Sequence, residues 1–487
     1  MKKYRKWFGI AGAIVLVLLV CAGVWMQNRG GSLEQEEAIP CISIAIPSVH
    51  EAKDTDLVEE KINEILGPRY GYTMHILYIP MENWRQQLNL LLVNQEVDIM
   101  AYMTEAPLSL LVKEGRFEVL DEYVKNASVE FREIWNEENL LGTKVDGRIY
   151  AIPSYRNYGN YIGLNIEKEI AGEYGIQSGQ RMSMEEISDF LYDLKEKYPD
   201  RYPLVPQGGD ALVNGWTWDG LGDSRNIGVL SDCGQSLTVE NIFDTEDFRE
   251  FCSYTRQWYL DGLIDPDILN NTIRGDELVK NKKGICYFEN YANLEQTEVV
   301  RTVAVEPWAV SNSYIEVCYG INAESSHKEM AWKALEMLFT DSEVNTLLVD
   351  GIRDVHYEEN SDGTIAWKPE RSEDYQMADQ YYFFPYCANT PPLQGEGADF
   401  WTKLKFFNKN IRTSKAVGFS FDNSKVLTEY QLCEYVIEEY YTAILSGAVD
   451  PGKMIERADQ KLKEAGIDKV IQEKQRQLDL FLAGKTS

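Results

Sequence analysis

The residues of this 487-residue chain that could do chemistry fall in four short stretches. Each places an aromatic ring beside an amide, carboxylate or guanidinium near a predicted strand. They are Tyr102 with Glu105; Tyr155, Arg156 and Asn157 with Tyr158; Trp216 and Trp218 between Asn214 and Asp219; and Glu289, Asn290 and Tyr291. A ring offers a flat apolar face to C–H groups, while amides and carboxylates exchange hydrogen bonds with hydroxyls. That combination suits non-covalent capture of a neutral polyol. Each stretch also has a plainer reading. Tyr102 and Glu105 fit a helix cap on a packed loop, and the two tryptophans, two residues apart, fit the core of a lobe. Ser48, His50, Trp308, Arg353 and Asn389 are weaker candidates of the same kind.

Patterns for bond-breaking chemistry are sparse. There is no GxSxG elbow, no HExxH and no GxxxxGK[ST] loop, and the histidines stand apart at 50, 75, 327 and 356. No catalytic residue, metal site or cofactor is expected. A carboxylate pair cannot be dismissed by counting when 78 residues are acidic, so a glycan-active enzyme stays the rival class. The net charge of −30 argues against nucleic acid and against a polybasic membrane-surface protein. Eight cysteines lie far apart with no CxxC pair, a spacing that fits small buried hydrophobes, with one or two disulfides as the alternative.

These side chains need a frame, and the hydropathy pattern supplies one. Residues 1–26 hold a basic start followed by 20 residues without charge, at 7–26, long enough for a signal peptide or a membrane anchor. Cys21 after Leu18-Leu19-Val20 resembles a bacterial lipidation site, with Val20 where the pattern has Gly, Ala or Ser; an uncleaved helix is the alternative. Both place the remainder on the extracytoplasmic face of the membrane. Residues 27–39 are polar and acidic, as a flexible stalk would be. From 41 on, strands at 41–47, 72–79 and 97–100 alternate with helices at 56–66, stopped by Gly67-Pro68, and 83–93, capped by Asn83. This is a βαβαβ start to an open α/β sheet. Further on come a hairpin at 144–153 around Asp146-Gly147 and a strand at 161–165. Helices follow at 184–197 and 246–262, then strands at 284–288 and 302–305. Helices after 327, a hairpin at Asp362-Gly363 and three terminal helices complete the pattern.

Several passages together resemble the extracellular solute-binding proteins of ABC importers. They are Glu306-Pro307-Trp308, Tyr319-Gly320-Ile321-Asn322-Ala323 with the helix after it, Ser342-Glu343-Val344, and Gly351-Ile352-Arg353-Asp354. The tail (Val417-Gly418-Phe419-Ser420-Phe421-Asp422, Glu438-Glu439-Tyr440, Gly466-Ile467-Asp468, Gln475-Arg476-Gln477) resembles a C-terminal module of the sugar-binding lipoproteins among them. The resemblance implies a two-lobed periplasmic-binding-protein fold of the type II, venus-flytrap kind, with ligand in the interlobe cleft. It places one lobe at 40–153 plus 304–345 and the other at 154–303 plus 346–487. It also implies a carbohydrate ligand, an oligosaccharide by preference, with ABC permease subunits as partners, and a monomer. A peptide or a cationic solute is the alternative ligand.

Overall fold

The computed structural model describes residues 39–103, 108–135, 139–208, 212–213, 215–294, 296, 298–371 and 374–485. The apolar segment 1–26, Cys21, the stalk up to 38, Glu105 and Asn214 therefore lie outside the described residues. Among the described residues no helix is long and apolar enough to cross a membrane.

The chain begins β1 (Cys41–Ser48), α1 (Thr55–Tyr70), β2 (Thr73–Pro80), α2 (Trp84–Val93) and β3 (Ile99–Met103). β1 lies between β2 and β3, parallel to both, as the alternation of strand and helix patterns requires. Two details differ from expectation. α1 runs through Gly67-Pro68 to a left-handed cap at Gly71. Pro68 sits in its last turn, where the missing N–H removes one bond near the end and leaves buried Leu66 in place. Asn83 precedes α2 without a side-chain cap bond, because a 3-10 turn, Met81–Asn83, leads into the helix.

A hairpin of β4 (Lys144–Val145) and β5 (Arg148–Ile149) turns at Asp146 and Gly147, both at positive φ as a type I′ turn demands. β6 (Ile152–Pro153) is followed by β7 (Asn160–Glu167), α3 (Met184–Lys197), β8 (Tyr202–Leu204), α4 (Glu246–Leu260), β9 (Gly284–Tyr291), β10 (Val299–Arg301), β11 (Val305–Ala309) and β12 (Val317–Ile321). α3 opens with a full capping box between Ser183 and Glu186. The strand expected at 302–305 is interrupted instead. Thr302 Oγ1 accepts the Leu164 N–H at 3.1 Å, so a side chain stands in for a ladder bond between β10 and β11.

α5 (Lys328–Thr340) packs on β12 and β1, α6 (Ser342–Asp350) packs on α1, and β13 (Tyr357–Glu359) pairs with β14 (Ile365–Trp367). α7 (Phe400–Asn410) and β15 (Arg412–Thr413) precede three terminal helices, α8 (Leu427–Leu445), α9 (Pro451–Ala465) and α10 (Ile467–Lys485). Helix α7 has no counterpart in the sequence reading.

Two sheets result. One has the order β2-β1-β3-β12-β6 and the other β15-β11-β7-β9-β8, with β10 beside β7. Each carries its own core. The first is built from residues between Ile42 and Tyr158 and between Ala309 and Ala388. The second draws on residues between Ile162 and Trp308 and between Ala416 and Leu478, with Ile455, Ala458 and Leu462 forming the buried stripe of α9. Residues 346–388, expected with the second lobe, bury Leu348, Tyr375, Met377, Phe384 and Tyr386 in the first core. The chain thus passes between sheets at 154–159, at 310–316 and between 389 and 411. Seven cysteines are described and all are free thiols, six of them buried, so no disulfide forms among them.

Candidate functional site

The site is built where the three passages converge. In the first passage Tyr155 anchors its backbone N–H on Pro385 O at 2.9 Å. Its ring meets Trp135, Tyr158 and Tyr386 edge-on, with centroids at 6.1, 6.1 and 5.3 Å. Arg156 pairs with Glu316 of the second passage. Asn157 donates to Asn160 Oδ1 at 3.0 Å and accepts the Tyr381 hydroxyl at 3.2 Å. From α7, Asn408 donates to Arg156 O at 2.8 Å and accepts the Tyr158 N–H at 3.2 Å. Each residue from Tyr155 to Tyr158 is therefore held at least once by a segment that lies more than 150 residues further along the chain.

The second sheet contributes the end of β9. Side chains alternate along a strand, so Glu289 and Tyr291 share a face and Asn290 takes the other. Glu289 accepts from Gln207 at 3.1 Å and from Asn165, with Arg301 at 3.7 Å. The Arg301 guanidinium lies over the Tyr291 ring at 4.8 Å and donates to Asn293 O at 2.7 Å. Tyr291 stacks on Tyr161, its partner across the ladder, at 6.2 Å and 23°. Burial pushes both phenols up, so they remain neutral donors.

Between these parts lies a cavity of about 570 Å³. Its rings are Tyr161, Tyr381, Phe400, Phe406 and Phe407, and its polar groups include Glu306, Glu396, Asn293 and Lys403. Tyr161 and Phe407 meet at 5.6 Å, and Tyr381 stands edge-on to Phe400 at 5.8 Å. Glu396 accepts from Asn293 at 3.1 Å. Concave, largely apolar walls with a few fixed polar groups are what a small-molecule site needs. Among the described residues no group of three His, Cys, Asp or Glu could hold a metal ion.

None of Tyr155, Arg156, Asn157, Glu289, Asn290 and Tyr291 lines this cavity. Asn157 reaches it through Tyr381 and Tyr291 through Tyr161, while three other candidates lie in the cores. Tyr102 is 2% exposed in the first core. Trp216 and Trp218 are 8% and 3% exposed; Trp216 packs on Phe251 at 4.7 Å and Trp218 on Phe248 at 5.7 Å. Tyr102 sits inside β3 rather than in a loop or a helix cap. The two tryptophans take the core positions of their plainer reading, since the second core needs large apolar side chains and both indoles fill it. Trp308 is buried with them and donates to Trp216 O at 3.3 Å. Ser48 is buried, His50 pairs with Asp379 at 2.8 Å, Arg353 with Glu359 at 2.6 Å, and Asn389 accepts from Asn345 at 3.1 Å. The sequence reading missed Tyr161, Tyr381, Glu396 and all of α7. The signal for α7 was there: Phe400, Leu404, Phe407 and Ile411 repeat at helical spacing.

A family model described as a domain of unknown function, DUF3502, matches residues 415–483. The carbohydrate ABC transporter substrate-binding protein of Streptococcus pneumoniae serotype 4 is 22% identical over 510 residues, spanning 100% of both chains. Among solved structures, the N-glycan transport solute binding protein NgtS of Streptococcus pneumoniae superposes with a TM-score of 0.77 at 20% identity, covering 92% of this chain and 100% of that one. Its complex with Man5GlcNAc gives 0.64 at 20% identity, with coverage of 92% and 99%. An HMO-binding, ABC-transporter-associated solute binding protein from Bifidobacterium longum infantis gives 0.62 at 13% identity, with coverage of 92% and 100%. These likenesses establish the fold as the two-lobed α/β fold of solute-binding proteins. In sequence and fold the chain resembles the extracellular solute-binding proteins of ABC importers.

Proposed function

We propose that this chain is the extracellular substrate-binding component of an ABC transporter and that it captures a carbohydrate, an oligosaccharide by preference, between its lobes. The observation that carries the reading is the cavity lined by the second sheet, Tyr381 and the segment 396–412. Stacked or edge-on rings line it beside carboxylates and an amide, within a fold that superposes over 92% of the chain on glycan-binding relatives. In this reading the lobes follow the two cores, 41–158 with 309–388 and 160–308 with 416–485.

Tyr161 and Tyr381 would supply faces for sugar rings, and Glu306, Glu396 and Asn293 would accept or donate to hydroxyls. Asn157 and Asn408 would hold the passage between lobes in register as the cleft closes. Ligand contacts from both lobes favour the closed form over the open one, which is the differential affinity a population shift needs. The closed form is what permease subunits would read, and the ligand leaves unaltered. Anchoring through Cys21, or through an uncleaved N-terminal helix, would keep the monomer on the outer face of the membrane.

Calorimetric titration with mono- and oligosaccharides, Man5GlcNAc among them, tests the reading. We expect binding of at least one oligosaccharide with unit stoichiometry and a glycan that is recovered intact by mass. Release of a shortened glycan would move the protein to the hydrolases. Binding of oligopeptides or polyamines in place of sugars would replace the ligand class.

A further inference from the structure

Lys474 is the one ammonium described here that is withdrawn entirely from solvent in an ion pair. Its side chain is 0% exposed and that of its partner Asp223 is 3% exposed. The nitrogen lies 3.0 Å from Asp223 Oδ2, 2.8 Å from Ile227 O, 2.9 Å from Gly228 O and 3.2 Å from Gly220 O. An ammonium has three protons, yet four oxygens surround it, three of them backbone carbonyls from a single loop. The Phe421 ring closes another side at 4.9 Å.

The carboxylate is also held by donors other than Lys474. Asp223 Oδ1 accepts from Tyr430 and from the Arg225 N–H, both at 2.8 Å, and Oδ2 accepts from the Ile227 N–H at 3.0 Å. At the start of the same loop Asp219 is fully buried and tied to Ser311. One carboxylate and three carbonyls of one loop match a single positive charge. Carbonyl rings of this kind replace the hydration shell of small monovalent cations elsewhere in proteins.

We propose that residues 219–228 form a cation-binding loop whose cation is the protein's own Lys474 ammonium, delivered by α10. Cutting that side chain back leaves a cage for a free small monovalent cation. The tethered ammonium locks the C-terminal helices onto a loop that reaches the second passage between lobes. This assignment is independent of the ligand held in the cleft.

The test is thermal unfolding of the full chain and of its Lys474→Ala, Lys474→Met and Asp223→Asn/Lys474→Ala variants. Each is heated in choline, propylammonium, potassium and calcium chlorides at matched ionic strength. Removing one partner of a buried pair should lower the Tm of Lys474→Ala and Lys474→Met by about 5–10 °C in choline. Propylammonium should restore at least half of the loss in Lys474→Ala, saturably, and potassium a smaller part. Lys474→Met, whose side chain fills the shaft, the double variant and the unaltered chain should not respond. If Lys474→Ala does not fold in choline, it should fold when propylammonium is present. A Lys474→Ala variant that gains no more than the unaltered chain overturns the proposal. Equal recovery in the double variant, recovery in calcium alone, or failure to fold in every salt does so as well.

Discussion

The Asp219 carboxylate accepts both the backbone N–H and the hydroxyl of Ser311, each at 2.8 Å, with Ser311 fully buried. It also accepts the Leu221 N–H at 2.9 Å. One side chain thus pins a loop of the second lobe to the strand-to-strand passage at 310–316. Asp219→Ala strands three donors away from water. We expect a loss of about 3–5 kcal/mol in urea unfolding, and about 1–2 kcal/mol for Asp219→Asn, which keeps one acceptor. Equal stability of Asp219→Ala and the unaltered chain would show that the passage is held by other contacts.

The cavity and the core make opposite demands on aromatic substitutions. Tyr161→Ala and Tyr381→Ala should each weaken oligosaccharide binding by roughly 5–30-fold, about 1–2 kcal/mol of lost stacking, with a smaller loss of Tm than a core substitution. Tyr381→Phe keeps the ring and should stay close to full affinity. Trp216→Ala should instead cost about 3–5 kcal/mol of stability, because it empties a core position against Phe251 and Phe288. Calorimetry and melting curves on the same four proteins separate the two classes.

Asp350 ends α6 at 1% exposure, and neither carboxylate oxygen has a hydrogen-bond partner among the described residues. Burial alone raises its proton affinity well above the ordinary carboxylate range. The folded protein therefore holds a proton that the unfolded chain releases near pH 4. The stability contribution is complete below that pH and is lost as pH rises toward the folded value, at about 1.4 kcal/mol per pH unit for one proton. Asp350→Asn should be more stable than the unaltered chain at neutral pH and should flatten this part of the profile. Denaturant unfolding between pH 4 and 8 measures both effects.

Gly142 brings two distant segments within backbone contact. A methyl group there would lie 2.7 Å from Ile315 Cγ2 and 3.0 Å from Gly418 Cα. Ile315 could rotate away, but the Gly418 backbone could not. Gly142→Ala should cost about 1–3 kcal/mol, and in an Ile315→Ala background, which lacks Cγ2, it should cost less but still something. No cost in that background would place the whole penalty on the isoleucine.

The opening βαβαβ unit was legible because its strands and helices differ in period, and each apolar position from Ile42 to Met100 has one face to occupy. The hairpin at Asp146-Gly147 was legible from turn chemistry alone. Pro68 misled, since a proline near a helix end removes too little to stop it. Trp216 and Trp218 misled for another reason. Local spacing describes a shared face but not whether that face meets a ligand or a core, and here Phe248, Phe251 and Phe288 decide it. Tyr161 and Tyr381 became neighbours of one cavity only through pairings that span more than 200 residues, beyond the reach of any local pattern.

The pairing of β3 with β12 sets the order in which the molecule can mature. Met103 waits for Val317, so one edge of the first sheet stays open while some two hundred residues are made. The first core then still lacks Tyr375 to Ala388, and the second lacks everything after Ala416. Neither half can finish before nearly the whole polypeptide has emerged. Folding should therefore be slow and late, with a nascent chain that depends on holdase chaperones until its last helices arrive.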